Sequence, residues 1–206
     1  MKVEVISRNN INHKLLLFGC EAVMKQSAGF NLLELMITIA ILAIVLAISF
    51  SFDGNLLQRN RAESFLQELQ RNIAFARVKA TAADDIVILC PAPPANIQAR
   101  TAFTCQDNWA TNRISVFVDR DKNGTFSNGD TIHRTMEVVD DNDTMVFKNK
   151  DQPAGNLLRF DSSGLLSGSN AGNFTYCPGD DNNNQQLSVS TAGTALYRGS
   201  TTESCE

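Results

Sequence analysis

Residues 29–50 read GFNLLELMITIAILAIVLAISF, and this stretch decides the fold. From Phe30 to Phe50 the only ionisable residue is Glu34. A helix over these residues would rise about 32 Å, enough to cross a hydrocarbon core of about 30 Å. The pattern therefore predicts a transmembrane helix over residues 30–52. Lys25 on the N-terminal flank predicts that this end faces the cytoplasm and that the rest of the chain is periplasmic.

Two features of this stretch do not fit an ordinary secretory signal or a plain membrane anchor. A small residue, Gly29, precedes the apolar run, and no A-x-A-like cleavage site follows it. Glu34 places a carboxylate inside the predicted span, where a charge is costly and by default marks a contact with a partner. A plain anchor would leave Glu34 without a role.

Residues 29–36, GFNLLELM, resemble the type IV prepilin motif, in which a glycine is followed by F-T-L-x-E. Asn31 replaces the more usual threonine. The resemblance implies that a prepilin peptidase cuts after Gly29 and N-methylates Phe30. It also implies storage as a single-pass protein of the bacterial inner membrane, followed by assembly with other pilins or pseudopilins through the N-terminal helix. In the filament, Glu34 is expected to contact the N-terminal amine of a neighbouring subunit, because two opposite charges attract strongly in an apolar medium.

Residues 1–29 are predicted to be a leader that the mature protein lacks. Residues 1–23 have no strong periodicity and precede a second methionine, Met24. Translation from Met24 is one interpretation, which makes residues 1–23 a mis-called start, and a long leader is the other. The leader carries four basic and two acidic residues, so its removal changes the formal net charge from −4 to −6. That balance argues against a surface that generally seeks nucleic acid.

Residues 53–85 are predicted to continue the helix as an amphipathic segment that ends between Thr81 and Asp85. Apolar residues recur there at three- and four-residue steps, and charged residues fill much of the other face. The expected buried stripe comprises Leu57, Ala62, Phe65, Leu66, Leu69, Ile73 and Ala76. This stripe should pack on a sheet.

Residues 86–206 are predicted to form a β-rich domain, because short β-type runs alternate there with turn clusters. The candidate strands are Ile86–Leu89, Ile114–Val118, Thr131–Val138, Thr144–Phe147, Leu157–Phe160, Asn173–Tyr176, Gln186–Ser190 and Ala195–Arg198. The proline-containing stretch Pro91–Asn108 is expected to be a loop. A long N-terminal helix packed on a β-rich globular domain gives the α+β class.

Four of the five cysteines lie outside the leader: Cys90, Cys105, Cys177 and Cys205. No C-x-x-C spacing occurs, so a zinc or thioredoxin-type site is not indicated. Two disulfides in an oxidising compartment are predicted. Four cysteines allow three pairings. We prefer Cys90–Cys105 and Cys177–Cys205, because each closes a short loop.

Residues 109–134 read WATNRISVFVDRDKNGTFSNGDTIHR. A tryptophan, a V-F-x-D strand and an Asn/Gly/Asp-rich turn in this order resemble the FimT/GspH family, as does the later stretch FTYC at 174–177. The resemblance implies a minor pilin of a type IV pilus, FimT-like. A GspH-like pseudopilin of the type II secretion system is the alternative.

A third alternative, a DNA-binding minor pilin for natural transformation, depends on the C-terminal region. The family feature is a G-R-x-R motif, and the matching stretch here is Gly193–Arg198. Thr194 replaces the first arginine, so Arg198 is the one candidate DNA-binding residue. DNA affinity depends largely on clustered cations at phosphates. DNA is therefore a partner that the sequence does not favour.

Residues 119–130 match the spacing of a calcium loop, with oxygen ligands at positions one, three and five, a glycine at six and a carboxylate at twelve. The candidate ligands are Asp119, Asp121, Asn123, the Thr125 backbone and Asp130, with Ser127 at position nine. Asp130 replaces the usual glutamate, Lys122 lies inside the loop, and no helix is expected to follow. Because Asn-Gly also favours tight turns, a hairpin-like turn without a cofactor is the alternative.

Residues typical of catalysis are not found together. His133 is the one histidine outside the leader, and no Ser/His/Asp, Cys/His, phosphate-loop or H-E-x-x-H pattern occurs. We therefore expect a structural and interaction protein with no catalytic residues.

Overall fold

A computed structural model describes residues 29, 31–49, 54–149, 155–168, 171–179 and 182–206. The chain divides into two compact units, Met1–Ser51 and Phe52–Glu206. The first unit contains helix α1, Leu32–Ser49. The second contains helices α2, Gly54–Ala83, and α3, Pro94–Ala99. Its described strands are β1 (Ile86–Ala92), β2 (Arg113–Asp119), β3 (Thr131–Thr135), β4 (Thr144–Asn149), β5 (Leu158–Phe160), β6 (Gly172–Cys177), β7 (Gln185–Val189) and β8 (Ala195–Ser200).

Helix α1 lies within the predicted membrane span 30–52. Residues 30 and 50–52 of that span lie outside the described residues. Among the helices that the structure describes, none combines the length and the apolar character that crossing a membrane requires.

The strands form two four-stranded sheets, in the orders β3-β2-β1-β5 and β4-β6-β7-β8. Every pairing is antiparallel, as in the central pair where Val87 lies opposite Val118 and Leu89 opposite Val116. The predicted α+β class is therefore confirmed. β3 ends at Thr135 and is shorter than predicted. Met136 still donates its N–H to the Ile114 carbonyl of β2, but the side chains of Met136 and Val139 are buried in the core and no regular strand continues to Val138.

Helix α2 supplies one side of the main core. Its fully buried residues are Ala62, Leu66, Leu69, Ile73, Ala76 and Ala80, at the three- and four-residue steps of one helix face. They pack with Val87 and Leu89 of β1 and with apolar residues of both sheets. Leu57, which was predicted to belong to this stripe, is exposed, and the first buried residue of α2 that the structure describes is Ala62. Asp84 takes a left-handed conformation after the last turn, and the Asp85 N–H donates to the Ala80 carbonyl, which ends the helix.

The predicted loop Pro91–Asn108 is wrong in two places. Pro91 is part of β1, and residues 94–99 form α3. Pro94 suits the first turn of a helix because its missing N–H would have no partner there. Arg100 ends α3 in a left-handed conformation. A helix of six residues is too short to give a periodic signal, and the prolines suggested a loop instead.

A smaller core covers the other face of the β1–β2 pair. Ile88 and Phe117 point into it, together with Ile97 of α3 and the stacked rings of Phe103 and Phe126. The two central strands are therefore buried on both faces, which explains their continuous apolar sequence.

Two disulfides, Cys90–Cys105 and Cys177–Cys205, are present in the second unit, and they are the two pairings that the sequence analysis preferred. The first ties the chain after α3 to β1. The second ties the C-terminal segment to the end of β6.

Candidate functional site

The start of α1 carries the residues of the predicted processing site. Gly29 is exposed, and a Cβ added to it would meet no atom within 4 Å. Phe30 lies outside the described residues. The Asn31 carbonyl accepts the Glu34 and Leu35 N–H groups at 2.9 and 3.1 Å, so Asn31 is the N-cap of the helix.

The polar groups of this first turn are arranged as a helix N-terminus favours. The Leu33 N–H donates to Asn31 Oδ1 at 3.4 Å. Glu34 is exposed in the first turn, where the helix dipole favours a negative charge. The carboxylate is thus held near the N-terminal end of α1.

The apolar side chains of α1 are exposed on all sides of the helix. Every leucine, isoleucine, valine and methionine from residue 32 to residue 46 is between 51% and 75% exposed. The first unit therefore presents a continuous exposed apolar surface along α1.

The second candidate site, the acidic loop, comprises residues 119–130. Asp119, Asp121 and Asp130 each place a carboxylate oxygen within 4.8 Å of the others, an arrangement that could hold a metal ion. Asp119 is fully buried at the end of β2, whereas Asp121 is exposed. The loop thus brings together three of the predicted calcium ligands.

The other candidate side chains, Asn123 and Ser127, form hydrogen bonds within the loop. Asn123 Oδ1 accepts from both the N–H and the hydroxyl of Thr125 at 2.7 Å. Ser127 Oγ lies 3.0 Å from Asp121 Oδ2 and 3.2 Å from Asp130 Oδ2, so the hydroxyl sits between the two carboxylates. The Asn-Gly step gives the tight turn that was the alternative to a metal loop, with Gly124 at φ +82°.

Hydrogen bonds from backbone N–H groups already stabilise the Asp119 carboxylate. Its two oxygens accept from the Asn123 and Gly124 N–H groups at 3.1 and 3.0 Å, and Arg159 Nη2 lies 4.0 Å away. Burial nevertheless raises the pKa of Asp119 above its ordinary value. For Asp121, burial also acts upward, but hydrogen bonds from Asn123 and Ser127 outweigh it and lower the pKa. A further cation near these groups would favour the charged form of both.

Arg198, the candidate DNA contact, is exposed on β8, and its Nε donates to Ser188 Oγ at 3.3 Å. Thr194, which replaces the first arginine of the related motif, accepts from Arg77 at 3.0 Å. The structure therefore places one other arginine against this turn, supplied by α2.

A partly buried polar network, which the sequence did not predict, joins α2 to the sheet that contains β4 and β6. Arg61 donates to both oxygens of Asp143 at 2.7 Å, and the Tyr176 hydroxyl donates to Asp143 Oδ2 at 2.6 Å. Asp143 is fully buried, and burial followed by the Asp143 hydrogen bond raises the pKa of Tyr176. No local pattern could have revealed this network, since its members lie 82 and 33 residues apart.

Two family models match the chain. One, described as type II transport protein GspH, matches residues 66–193, which is more than half of the chain. The other, described as prokaryotic N-terminal methylation motif, matches residues 24–50. No curated protein sequence matches.

Solved structures of similar fold include the type IV minor pilin FimU of Pseudomonas aeruginosa. The TM-score is 0.51 at 18% identity, with 69% of this chain and 92% of that chain covered. The minor pseudopilin EpsH of Vibrio cholerae aligns with a TM-score of 0.46 at 11% identity, covering 71% of this chain and 98% of that chain.

Proposed function

The chain belongs to the GspH family of minor pilins and pseudopilins, and we propose that it is a FimT-like minor subunit of a type IV pilus. In this proposal a prepilin peptidase cleaves after Gly29 and methylates Phe30. The protein is stored in the inner membrane with its second unit in the periplasm, and it then joins the filament through α1.

The observation that carries the proposal is the exposed apolar surface of α1. At roughly 25 cal/mol per Å² of apolar area, leaving a leucine in water instead of burying it costs about 1.5–3 kcal/mol. Eleven leucine, isoleucine, valine and methionine side chains lie between residues 32 and 46, and each is more than half exposed. Lipid before assembly and neighbouring helices after it would both cover this surface.

Glu34 gives the proposed assembly its register. Alone, its carboxylate is costly in an apolar surrounding, and so is a free N-terminal amine. Pairing the two between adjacent subunits removes both costs, and it does so only when the subunits are correctly offset along the filament. Glu34 thus acts in assembly and not in catalysis, as expected of a family of structural filament subunits.

The proposal is tested with an epitope-tagged chain in the bacterium that encodes it. We expect the tag in sheared surface filaments, and we expect Glu34→Gln to remove it from the filaments without lowering its amount in the membrane. Glu68→Gln is the matched control, because Glu68 is an exposed carboxylate of α2. Equal incorporation of the Glu34 variant would sink the proposed assembly role.

Deletion strains distinguish a type IV pilus from a type II secretion system as the assembly that the protein joins. A type IV pilus subunit should disappear from the surface when the pilus assembly ATPase is deleted. If deletion of the type II secretion ATPase abolishes its assembly instead, the chain is a pseudopilin, the alternative within this family.

A second candidate function, calcium binding, is favoured by the three carboxylates of the acidic loop, whose oxygens lie within 4.8 Å of one another. Calcium takes six to eight oxygen ligands. Each of these carboxylates accepts two or three hydrogen bonds, and an ionised carboxylate has about four lone-pair sites, so each keeps room for a cation. Asp119, Asp121 and Asp130 would hold the ion, with Asn123 and the Thr125 carbonyl as the remaining candidates. The ion would stiffen the connection between β2 and β3.

Calorimetric titration of the full chain in detergent tests this candidate. We expect calcium binding that magnesium does not match and that Asp121→Asn abolishes. Asp121 is exposed, so the substitution should leave the core intact. Asp161→Asn is the matched control, because Asp161 accepts the N–H groups of Ser163 and Leu165 in a similar turn. Heat of binding that both variants retain would refute the site.

A further inference from the structure

β3 forms an open edge of its sheet. In the described part of the chain β2 is its one neighbouring strand, and Thr131, His133, Arg134 and Thr135 are exposed. The outward-facing backbone groups of such an edge are a template for pairing with another extended chain.

A cleft in two adjoining parts is lined by residues of β3. One part, of about 350 Å³, is lined by Ile97, Gln98, Arg100, Arg113, Ile132, His133, Arg134 and Thr135. The adjoining part, of about 310 Å³, is lined by Arg100, Ala102, Phe126, Ser127, Asn128, Gly129, Asp130, Thr131 and Ile132. Arg100 and Ile132 line both parts, and every residue of β3 lines one part or the other. Ile97 and Gln98 of α3 line the first part only.

The first part of the cleft is cationic in a protein whose net charge is negative. Arg100, Arg113 and Arg134 line it together with His133. Burial lowers the pKa of His133, and the charges of Lys79 and Arg120 lower it further.

Two of these arginines are held in place by their neighbours. Arg134 lies over the Phe75 ring at 3.9 Å, and its Nη1 lies 3.4 Å from Asn72 Oδ1. Arg113 pairs with Glu137, whose side chain is 78% exposed. A ligand carboxylate could replace Glu137 at little cost, because exposed ion pairs are weak.

We propose that an acidic, extended segment of a partner protein binds in this cleft and adds to the sheet as a strand beside β3. The edge of β3 would supply backbone hydrogen bonds, the arginines would pair with carboxylates, and the half-buried Ile132 would contact an apolar side chain of the segment. This alternation is the mode of strand addition, in which backbone pairing gives affinity and side-chain pockets give specificity. Because β3 has five residues, it offers a site about 17 Å long.

Nucleic acid is a poorer match to the same surface. It could use the arginines, but it has no backbone that pairs with a strand edge and no apolar side chain to contact Ile132. The proposal concerns the second unit alone, so it goes beyond the filament function and does not depend on it.

The probe is a peptide, Thr-Glu-Val-Glu-Val-Glu, capped at both ends and carrying an uncharged dye, titrated with the full chain in detergent. We expect saturable binding by fluorescence anisotropy. A peptide with lysine for glutamate, and one N-methylated at alternate backbone nitrogens, should both lose it. Retained binding of the N-methylated peptide would overturn strand addition.

Variants test the location of the site. Arg113→Gln combined with Arg134→Gln should weaken binding about fivefold or more, since each contributes an ion pair. Arg198→Gln is the matched control, because Arg198 is an exposed arginine on β8, an edge strand of the other sheet. An equal effect of the control, or none of the double variant, would overturn the proposal.

Two further measurements separate a lost charge from lost packing, and a peptide partner from DNA. We expect Arg100→Asn to weaken peptide binding. Asparagine tolerates the left-handed backbone at the end of α3, and the substitution leaves the contact between Arg134 and Phe75 in place, so the loss would reflect the missing charge. Tighter binding of duplex DNA than of the peptide, with the same dependence on Arg113 and Arg134, would replace the peptide with nucleic acid and refute the proposed partner.

Discussion

The two long helices use their apolar residues in opposite ways. In α2, Leu66, Leu69 and Ile73 are 0% exposed, whereas in α1 Leu32 is 75% and Leu42 58% exposed. The apolar stripe of α2 from Ala62 to Ala80 is buried within its own unit, whereas the apolar side chains of α1 are exposed. Sequence changes in α2 should therefore alter the stability of the second unit, and changes in α1 should alter membrane insertion or assembly.

Truncation of one leucine in each helix tests this comparison with the largest expected effect. Leu66→Ala should lower the free energy of unfolding of the second unit by about 2–5 kcal/mol, because it leaves a cavity in the core. Trp109, the single tryptophan, is buried in this unit and reports its unfolding by fluorescence during denaturant titration.

Leu42→Ala is the control for this titration. It should change the same free energy by less than about 0.5 kcal/mol, as surface substitutions usually do. A loss for Leu42→Ala as large as that for Leu66→Ala would break the comparison, since α1 would then contribute to the stability of the second unit.

The polar side of α2 extends the comparison. Arg61→Met leaves the fully buried Asp143 without its cation, and we expect unfolding to become easier by about 2–3 kcal/mol. The loss should fall short of that for a fully buried pair, because the Arg61 side chain is 40% exposed. Arg59→Met, an exposed arginine two residues earlier, should have little effect in the same denaturation assay.

The smallest predicted effect concerns His133, whose ring lies 6.3 Å from that of Phe75 in α2. Burial and nearby cations lower its pKa, so NMR titration should give a midpoint below the ordinary value for histidine. Lys79→Gln should raise that midpoint, and Leu42→Ala should leave it unchanged. If Lys79→Gln left the midpoint unchanged, the charge of Lys79 in α2 would have no effect on the pKa of His133 in β3.

Because the pKa of His133 is lowered by folding, the stability of the folded chain depends on pH. Since the pKa is lower in the folded chain, the unfolded chain binds the proton first as the pH falls. His133 therefore contributes stability above the ordinary histidine pKa, and this contribution is lost as the pH falls through the folded value.

Much of the fold could be predicted because hydrophobic periodicity is local. The steps of α2 and the apolar runs of β1 and β2 indicate their structure directly. Leu57 fitted the same steps and is exposed, because periodicity does not show where a helix leaves the sheet. Helix α3 was missed because six residues give no period.

The candidate sites divide along the same line. The acidic loop was predictable because its three aspartates lie within twelve positions of one another. The Arg61–Asp143–Tyr176 network and the cleft at β3 join residues that are distant in the sequence, so only the folded chain brings them together.

The central claim, that α1 is made for assembly after processing, is tested most directly at the mature N-terminus. The chain is co-expressed with a prepilin peptidase and the product is analysed by mass spectrometry. We predict N-methylated Phe30 as the first residue, and an uncleaved product for Gly29→Val, a substitution that meets no neighbouring atom within 4 Å of its Cβ. An uncleaved wild-type chain, or cleavage at another residue, would contradict the account and with it the proposed role of Glu34.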